Sequence, residues 1–307
     1  MDETERDRHL ATLAATPARL KEALAAVPRK LLLWTPAPGK WSIHEIVCHM
    51  RDMEREAYQE RYRRILAEDN PLLRDVDGDR CAIERGYRSL KLGEVLRDWA
   101  RVRKENLNLL KRVRDGQWAR TGTHETAGPV TMETLLRRHA VGNDEAHLGQ
   151  IEAIGRRHKV LSDLAAGPAA LAAAVRGLGD EALLRAPGPG KWSIVEIACH
   201  LCDIERVYAE RFTKMAFHAE KPSFWMLDND RAAEALGYRT ADVRAVLKEW
   251  KRLRDDTLVL LRALPHDSWK RTGHHPKRGD LTVEQLAVVL AAHDRNHLDR
   301  VASLRAS

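Results

Sequence analysis

Apolar residues recur three and four positions apart along most of this chain, a spacing that places them on one face of an α-helix. The clearest stripe lies in the stretch 281–297 and consists of Leu286, Val289, Leu290, His293 and His297. Thr282 and Gln285 form a capping box at its start. His293 and His297 lie one turn apart, about 6 Å along the helix axis. No segment has a convincing strand pattern, so the sequence predicts an all-α fold in which two imidazoles face a helical core.

The chain is predicted to contain two copies of one domain. The motif Pro-Gly-Lys-Trp-Ser occurs at 38–42 and again at 189–193, and further matches follow at the same offset of 151 residues over a long distance without a gap. They include His49 with His200, Asp52 with Asp203, Pro71 with Pro222, Trp99 with Trp250 and Trp118 with Trp269. The expected domains are 1–160 and 161–307, each of ordinary size.

Each copy is expected to form a four-helix bundle with one long connection. The four helices are predicted to begin at Pro17, at Ser42, near Ser89 and ahead of His147 in the first copy, and at Pro168, at Ser193, near Thr240 and ahead of His297 in the second. Proline favours a first helical turn, and Ser42 and Ser193 each open a capping box. The two bundles are expected to pack as an internal pseudo-dimer.

Charge and cysteine content narrow the function only slightly. The formal charge is +7, from 52 basic and 45 acidic residues, and the basic clusters lie in amphipathic helices among acidic neighbours. A solvated helix face therefore explains them better than a nucleic-acid groove. No apolar run approaches a membrane span and no secretory signal is visible, which favours a cytoplasmic protein. Cys199 and Cys202 form a CxxC, but small core residues are favoured over a redox pair.

A third imidazole in the second copy is predicted to complete a metal site. His200 lies two turns inside the second helix, on the face that a bundle brings against the fourth helix. With His293 and His297 it would form three ligands around one divalent ion, leaving a position open for water or substrate. The imidazole ligands favour zinc or nickel as the metal, and iron, manganese and cobalt are the alternatives. Asp203, Glu196 and Asp294 are weak candidates for orienting the rings or moving protons, and equally for ordinary helix-surface carboxylates.

Several short motifs together resemble the DinB/YfiT-like superfamily. They are Trp192-Ser followed by Cys-His200-Leu-x-Asp203, the Gly-Tyr-Arg239 element, His275-Pro276 and the closing His293-Asp-Arg-Asn-His297-Leu. The resemblance covers nearly the whole chain. It implies a four-helix bundle, often in dimers, with His200, His293 and His297 as ligands of a divalent metal. Members include metal-dependent hydrolases and transferases or isomerases that use low-molecular-weight thiols. The resemblance assigns no catalytic base.

The sequence departs from the family pattern in both copies. Arg300 stands where the family commonly has glutamine. Asn143 stands where the first copy should have a ligating histidine, so His49, Asn143 and His147 are predicted to form a degenerate site. One extra residue precedes His147, placed in the loop or absorbed as a helix bulge. His139 lies two turns from His147 and is not expected to replace the ligand.

The expected function is metal-dependent chemistry on a small molecule in the second bundle, either hydrolysis or transfer to a low-molecular-weight thiol. A non-catalytic metal-binding stress-response module is the alternative, and nucleic-acid binding is disfavoured. Trp225, with Phe224 and Met226, is a candidate lining of a substrate pocket, and His274 or His275 is a candidate for its mouth. The paired tryptophans, Trp41 and Trp192 among them, are expected to be packing anchors. For the oligomeric state, the sequence is compatible with a monomer that contains an internal pseudo-dimer and with a homodimer.

Overall fold

Two successive sets of helices make up the chain. The structure is a computed structural model that describes residues 2–25, 27–35 and 39–306, so Pro38 of the repeated motif lies outside the described part. It divides into two units, Met1–Gly155 and Arg156–Ser307. The predicted all-helical class is confirmed. Among the helices described, none has the length and apolar character needed to cross a membrane.

The first unit contains four long helical stretches and a small sheet. Its helices are α1 (Glu3–Ala25), α2 (Ile43–Asp52), α3 (Glu60–Ala67), α4 (Gly78–Glu84), α5 (Leu92–Leu110), α6 (Met132–Arg137) and the start of α7 (Ala146–Val175). π-Helical segments, Met53–Gln59 and Arg138–Glu145, join α2 to α3 and α6 to α7. The strands are β1 (Leu72–Leu73), β2 (Thr121–His124) and β3 (Gly128–Thr131), with β1 parallel and β3 antiparallel to β2.

The second unit repeats this order with fewer interruptions. Its helices are the remainder of α7, α8 (Asp180–Leu184), α9 (Ile194–Phe217), α10 (Asn229–Ala235), α11 (Val243–Ala263) and α12 (Val283–Ala306). The strands β4 (Thr272–His275) and β5 (Gly279–Thr282) form an antiparallel hairpin ahead of α12. The sequence predicted a loop in this place. The two strands were missed because strands of four residues are too short to display an alternating pattern. Gly279 closes the hairpin with a φ of +73°, a conformation that favours glycine.

The predicted capping boxes are confirmed. The Ser42 and Ser193 hydroxyls accept hydrogen bonds from the backbone N–H groups of Glu45 and Glu196, whose carboxylates accept from the serine N–H groups in return. Gln285 and Thr282 make the same reciprocal pair at the start of α12, at 2.8 and 3.1 Å. These caps fix where the ligand-bearing helices begin.

The prolines predicted to open helices lie inside them, so that prediction was wrong. Pro17 lies within α1 and Pro168 within α7. A proline in a helix interior has no N–H and leaves the carbonyl four residues earlier without its usual donor. In both units an arginine from another helix supplies that hydrogen bond. The carbonyl of Leu13 accepts from Arg103 at 2.8 Å, and the carbonyl of Leu164 accepts from Arg254 at 2.7 Å.

Arg254 connects the four long helices of the second unit. It projects from α11, and its Nη2 atom lies 2.5 Å from Glu205 of α9 and 2.8 Å from Asp294 of α12. Its bond to Leu164 adds α7. The Arg254 side chain is 1% exposed. A charge can be buried to this extent because it is paired on several sides. Its carbon atom Cζ also lies 5.3 Å from the centre of the buried Trp250 ring.

Arg103 has the same role in the first unit. It projects from α5 and pairs with Glu54 at 2.6 Å and with Asp144 at 2.7 Å. Both carboxylates lie in the π-helical segments. Burial alone would raise the pKa of Glu54, but its close contacts with His139 and Arg103 outweigh burial and lower it. The carboxylate is therefore ionised and bound to its partners in the folded chain.

The sequence predicted that the two copies match at an offset of 151 residues over a long distance without a gap, and that prediction was wrong. Arg61 donates to the carbonyl of Arg74 at 2.8 Å, and Arg211 donates to the carbonyl of Trp225 at 2.7 Å. The two carbonyls are 151 residues apart in sequence, whereas the two arginines are 150 apart. The extra residue is absorbed by the π-helical segment Met53–Gln59, and a longer connection after α9 restores the offset. The π-helical segment Arg138–Glu145 absorbs the second extra residue. This is the helix bulge that was one of the two alternatives predicted from the sequence, the other being a longer loop.

Replacing Arg254 with leucine should lower the free energy of unfolding by about 3–5 kcal/mol, because two buried carboxylates and one carbonyl lose their partner. Urea denaturation measures this. Arg252 is the matched control, since it lies on the same helix but is exposed and pairs with Glu249 at the surface. Arg252→Leu should change the stability little. Equal, small effects of the two substitutions would contradict the role given to Arg254.

Candidate metal centre

Three histidines of the second unit lie together between α9 and α12. The Nε2 atoms of His200 and His293 are 3.0 Å apart. One nitrogen of each ring, including that of His297, lies within 4.8 Å of those of the other two. Two nitrogens that bind one tetrahedral zinc ion, each at about 2.0–2.1 Å, are about 3.3 Å apart. The arrangement therefore fits a single divalent ion.

The hydrogen bonding of these rings also fits a metal site. The Nδ1 atoms of His200, His293 and His297 are buried and have no hydrogen-bond partner among the described residues. The opposite nitrogens, Nε2 of His200 and of His293, face each other, and a cation between them would take a lone pair from each. Burial lowers the pKa of His200 to about 3, helped by the neighbouring His293, and burial lowers the pKa of His297 to about 4. Both rings are thus neutral at physiological pH, the form that binds metals.

Tryptophans from the repeated motif cover the histidines. The ring of Trp192 lies 4.8 Å from that of His200 and 6.4 Å from that of His297, centre to centre. Trp192 is half-buried, whereas Trp99 and Trp250 are 1% and 0% exposed. The expectation of packing anchors is thus confirmed for Trp99 and Trp250, while Trp192 forms part of the wall of the site.

The three carboxylates suggested for catalysis are engaged by other residues. Glu196 caps α9 and accepts from Arg239 at 3.0 Å. Asp203 accepts from the Tyr238 hydroxyl at 2.5 Å and from Arg206 at 2.6 Å. Asp294 lies in the ion pair with Arg254. The Gly-Tyr-Arg element thus binds two of these carboxylates through Tyr238 and Arg239, while Asp294 holds the helix that carries His293.

The matching place in the first unit has two histidines. The rings of His49 and His147 lie 4.9 Å apart, and Trp41 lies 4.6 Å from His49. Asn143 precedes Asp144 just as His293 precedes Asp294, and both aspartates pair with the buried arginine of their unit. Asn143 therefore occupies the position of His293, and its amide donates to Asp144 at 3.1 Å. His147 Nδ1 is bonded to Gln150 at 2.9 Å.

His139 lies in the buried centre of the first unit. It contacts the carboxylate of Glu54 at 2.8 Å and the hydroxyl of Tyr62 at 3.1 Å, and it stacks on Tyr58 with 3.9 Å between ring centres. Glu54, His139 and Asp144 are close enough to bind a cation together. The Arg103 guanidinium already donates to both carboxylates and lies 3.2 Å from the His139 ring nitrogen, so this arginine supplies the positive charge that a bound cation would otherwise bring. No sequence pattern indicates this network, because its members meet only through the packing of the helices.

A cavity of about 540 Å³ in the second unit extends to His293. Its wall includes Tyr208, Arg211, Met226, His275, Lys277, Arg278, Val288, Val289, Ala292 and Asn296. Of the pocket residues suggested by the sequence, Met226 and His275 line it. Phe224 is buried in the core, Trp225 is half exposed, and His274 is an exposed residue paired with Asp280.

The cysteines of α9 are unsuited to thiol chemistry. Cys199 and Cys202 are buried free thiols. Burial raises the pKa of Cys199 to about 12 and that of Cys202 to about 11, so the reactive thiolate is disfavoured. They are packing residues in the core, as the sequence favoured.

Comparison with known proteins finds the same domain twice. The sequence model of the DinB superfamily matches residues 12–151 and again residues 163–300. The Bacillus subtilis (strain 168) protein named "Putative metal-dependent hydrolase YfiT" is 27% identical over 138 residues, which are 45% of this chain and 77% of that protein. A solved structure of YfiT from Bacillus subtilis, a four-helix bundle of unusual topology, is 26% identical with a TM-score of 0.46 and covers 48% of this chain and 85% of that one.

The metal-free protein should lose stability as the pH falls from about 6.5 towards 4. The folded pKa of His200 lies below that of a free histidine, so the unfolded chain takes up its proton first and gains stability relative to the fold. Urea denaturation at pH 7 and at pH 5 measures how far the free energy of unfolding falls between the two pH values. That decrease should be smaller by about 1–2 kcal/mol in His200→Leu than in wild type.

The exposed His218 supplies the control, and His218→Leu should keep the wild-type pH dependence. If His200→Leu also keeps it, then His200 is not held neutral in the fold.

Proposed function

Since both halves of the chain belong to the DinB superfamily, we propose that the second unit is a metal-dependent hydrolase domain that acts on a small molecule. His200, His293 and His297 would hold one divalent ion, for which imidazole ligands make zinc or nickel the best candidates. The description of the related YfiT protein as a metal-dependent hydrolase supports the reaction class.

The observation that carries this proposal is the position of His293. It is one of three clustered imidazoles and it also lines a cavity large enough for a small molecule. A closed structural site would have four protein ligands and no such opening. A divalent ion bound there would polarise a carbonyl or phosphoryl oxygen and acidify water near it.

The other residues of the site position the ligands. Arg254 binds Asp294 and thereby fixes the turn of α12 that carries His293. Trp192 covers His200 and His297 and limits the access of water from that side. Pre-organisation of this kind is what metal ligands require from the residues behind them.

The first unit is proposed to bind no metal on its own. Two imidazoles and the amide of Asn143 make a weaker ligand set than three imidazoles, since an amide nitrogen does not coordinate and an amide oxygen suits harder cations. Its contribution would be structural.

Metal content per chain, measured by elemental analysis on untagged protein after reconstitution with zinc or nickel, tests the site. Wild type should hold about one ion, in line with a single three-ligand site, and His293→Ala should lose it. His218→Ala, which removes an exposed histidine, should retain it. Asn143→His should raise the content towards two ions, because it restores the third imidazole of the first unit.

Activity separates the remaining possibilities. The loaded wild type should hydrolyse some member of a panel of small esters, amides and phosphoesters, and His293→Ala should not. Turnover only when a low-molecular-weight thiol is added would move the function to thiol transfer. Absence of bound metal in wild type after reconstitution would contradict the proposal altogether.

A further inference from the structure

The duplication provides an internal comparison for the cavity beside His293. Once the π-helical insertion is taken into account, Arg61 of the first unit corresponds to Arg211 of the second. The hairpins align without a shift, so His124 corresponds to His275. The residue that follows the matched carbonyl is Asp75 in the first unit and Met226 in the second.

In the first unit, a carboxylate of the chain fills the space between these basic groups. Asp75 lies 3.8 Å from Nη2 of Arg61 and 3.7 Å from Nε2 of His124, and it accepts a hydrogen bond from the Thr126 hydroxyl at 3.0 Å. Burial tends to raise the pKa of Asp75, but the Thr126 hydrogen bond and the neighbouring cations lower it overall. An ionised carboxylate is therefore stable at this position.

In the second unit, the basic groups remain and the carboxylate is gone. Arg211 and His275 are only 5% and 4% exposed. Arg211 donates to the carbonyl of Trp225 and touches the sulfur of Met226, but forms no ion pair with any residue in the described ranges. The adjacent Glu210 is turned towards Lys214, at 2.5 Å. A buried guanidinium without an acidic partner is unusual, because its charge is costly to remove from water.

Three exchanges at the turn of the hairpin make the second unit more basic there. Thr126 and Ala127 of the first unit are replaced by Lys277 and Arg278, and Glu125 by Pro276. In the first unit, Arg138 acts electrostatically on Arg61 and His124, and the acidic residues beside them are Asp75 and Glu125, whose carboxylate accepts from the Asp75 N–H group. None of the residues that line the cavity of the second unit is acidic.

The rest of the wall supplies an apolar surface that leads to the metal ligands. Val207, Val288, Val289 and Ala292 line the same cavity as Arg211 and His293. The first unit has His139 stacked on Tyr58, whereas Tyr208, the equivalent of Tyr58, faces the cavity. The second unit alone thus combines a basic end, an apolar wall and a metal-ligating histidine.

We infer that the cavity binds a small molecule carrying a carboxylate, which takes beside Arg211 and His275 the place that Asp75 fills in the first unit. The apolar part of the molecule would lie along the valines and alanine, with the reacting group towards His293. The substrate class rests on the proposed function, while the carboxylate site itself does not require the metal.

The test compares hexanoate with its neutral counterpart hexanamide, by calorimetric titration of the full chain with and without zinc. Wild type should bind hexanoate roughly tenfold or more tightly than hexanamide, because a charge-assisted bond to Arg211 is available only to the anion. Met226→Asp should abolish this preference, since it restores the internal carboxylate of the first unit. Arg211→Gln should abolish it as well. Arg61→Gln, the matched change in the first unit, should leave it intact.

Equal binding of the two probes by wild type would overturn the inference, as would an unchanged preference in Met226→Asp. Met226 is 41% exposed, so its replacement should leave the fold unaffected. A carboxylate preference in protein that binds no zinc would support the carboxylate site while rejecting the proposed function. Zinc binding without the preference would do the reverse.

Discussion

One buried guanidinium in each unit is the interaction on which the arrangement of the helices depends. Arg254 binds a carboxylate on the second helix, a carboxylate on the fourth and the carbonyl that Pro168 leaves free on the first. A proline inside a helix and a charge inside a core are each unfavourable alone. Together they satisfy one another, and they fix how far each helix is rotated. Arg103 and Pro17 repeat the arrangement in the first unit, although other residues occupy the centre of that unit.

The same interaction sets the metal centre. Asp294, held by Arg254, is the residue next to His293, so the ion pair that joins α11 to α12 also directs the imidazole towards His200. In the first unit the equivalent pair places Asn143 in the histidine's position. The two copies have therefore kept one scaffold and diverged in the residues it presents. The first unit fills its interior with His139, Tyr58 and a carboxylate of its own, whereas the second leaves a basic cavity beside three imidazoles.

Local patterns made much of this predictable. The capping boxes, the His293 and His297 stripe and the repeated motif are each read from a few neighbouring residues, and they predicted the helices that carry the ligands. Pro17 and Pro168 were misread as helix starts because their compensation comes from an arginine about 90 residues later, which no local pattern contains. The one-residue shift within 53–59 was hidden because a later loop restores the offset. An alignment without that shift does not match Arg61 with Arg211. It therefore does not reveal that the exchange of Asp75 for Met226 removes a carboxylate from beside a matched arginine.

The central claim is that the second unit binds one divalent ion through three histidines and that the first binds none. Anomalous X-ray diffraction from crystals of the full chain grown with zinc tests it most directly. The prediction is a single peak per chain at about 2.0–2.1 Å from a nitrogen of each of His200, His293 and His297. A peak of comparable height between His49 and His147, or none beside His293, would contradict it.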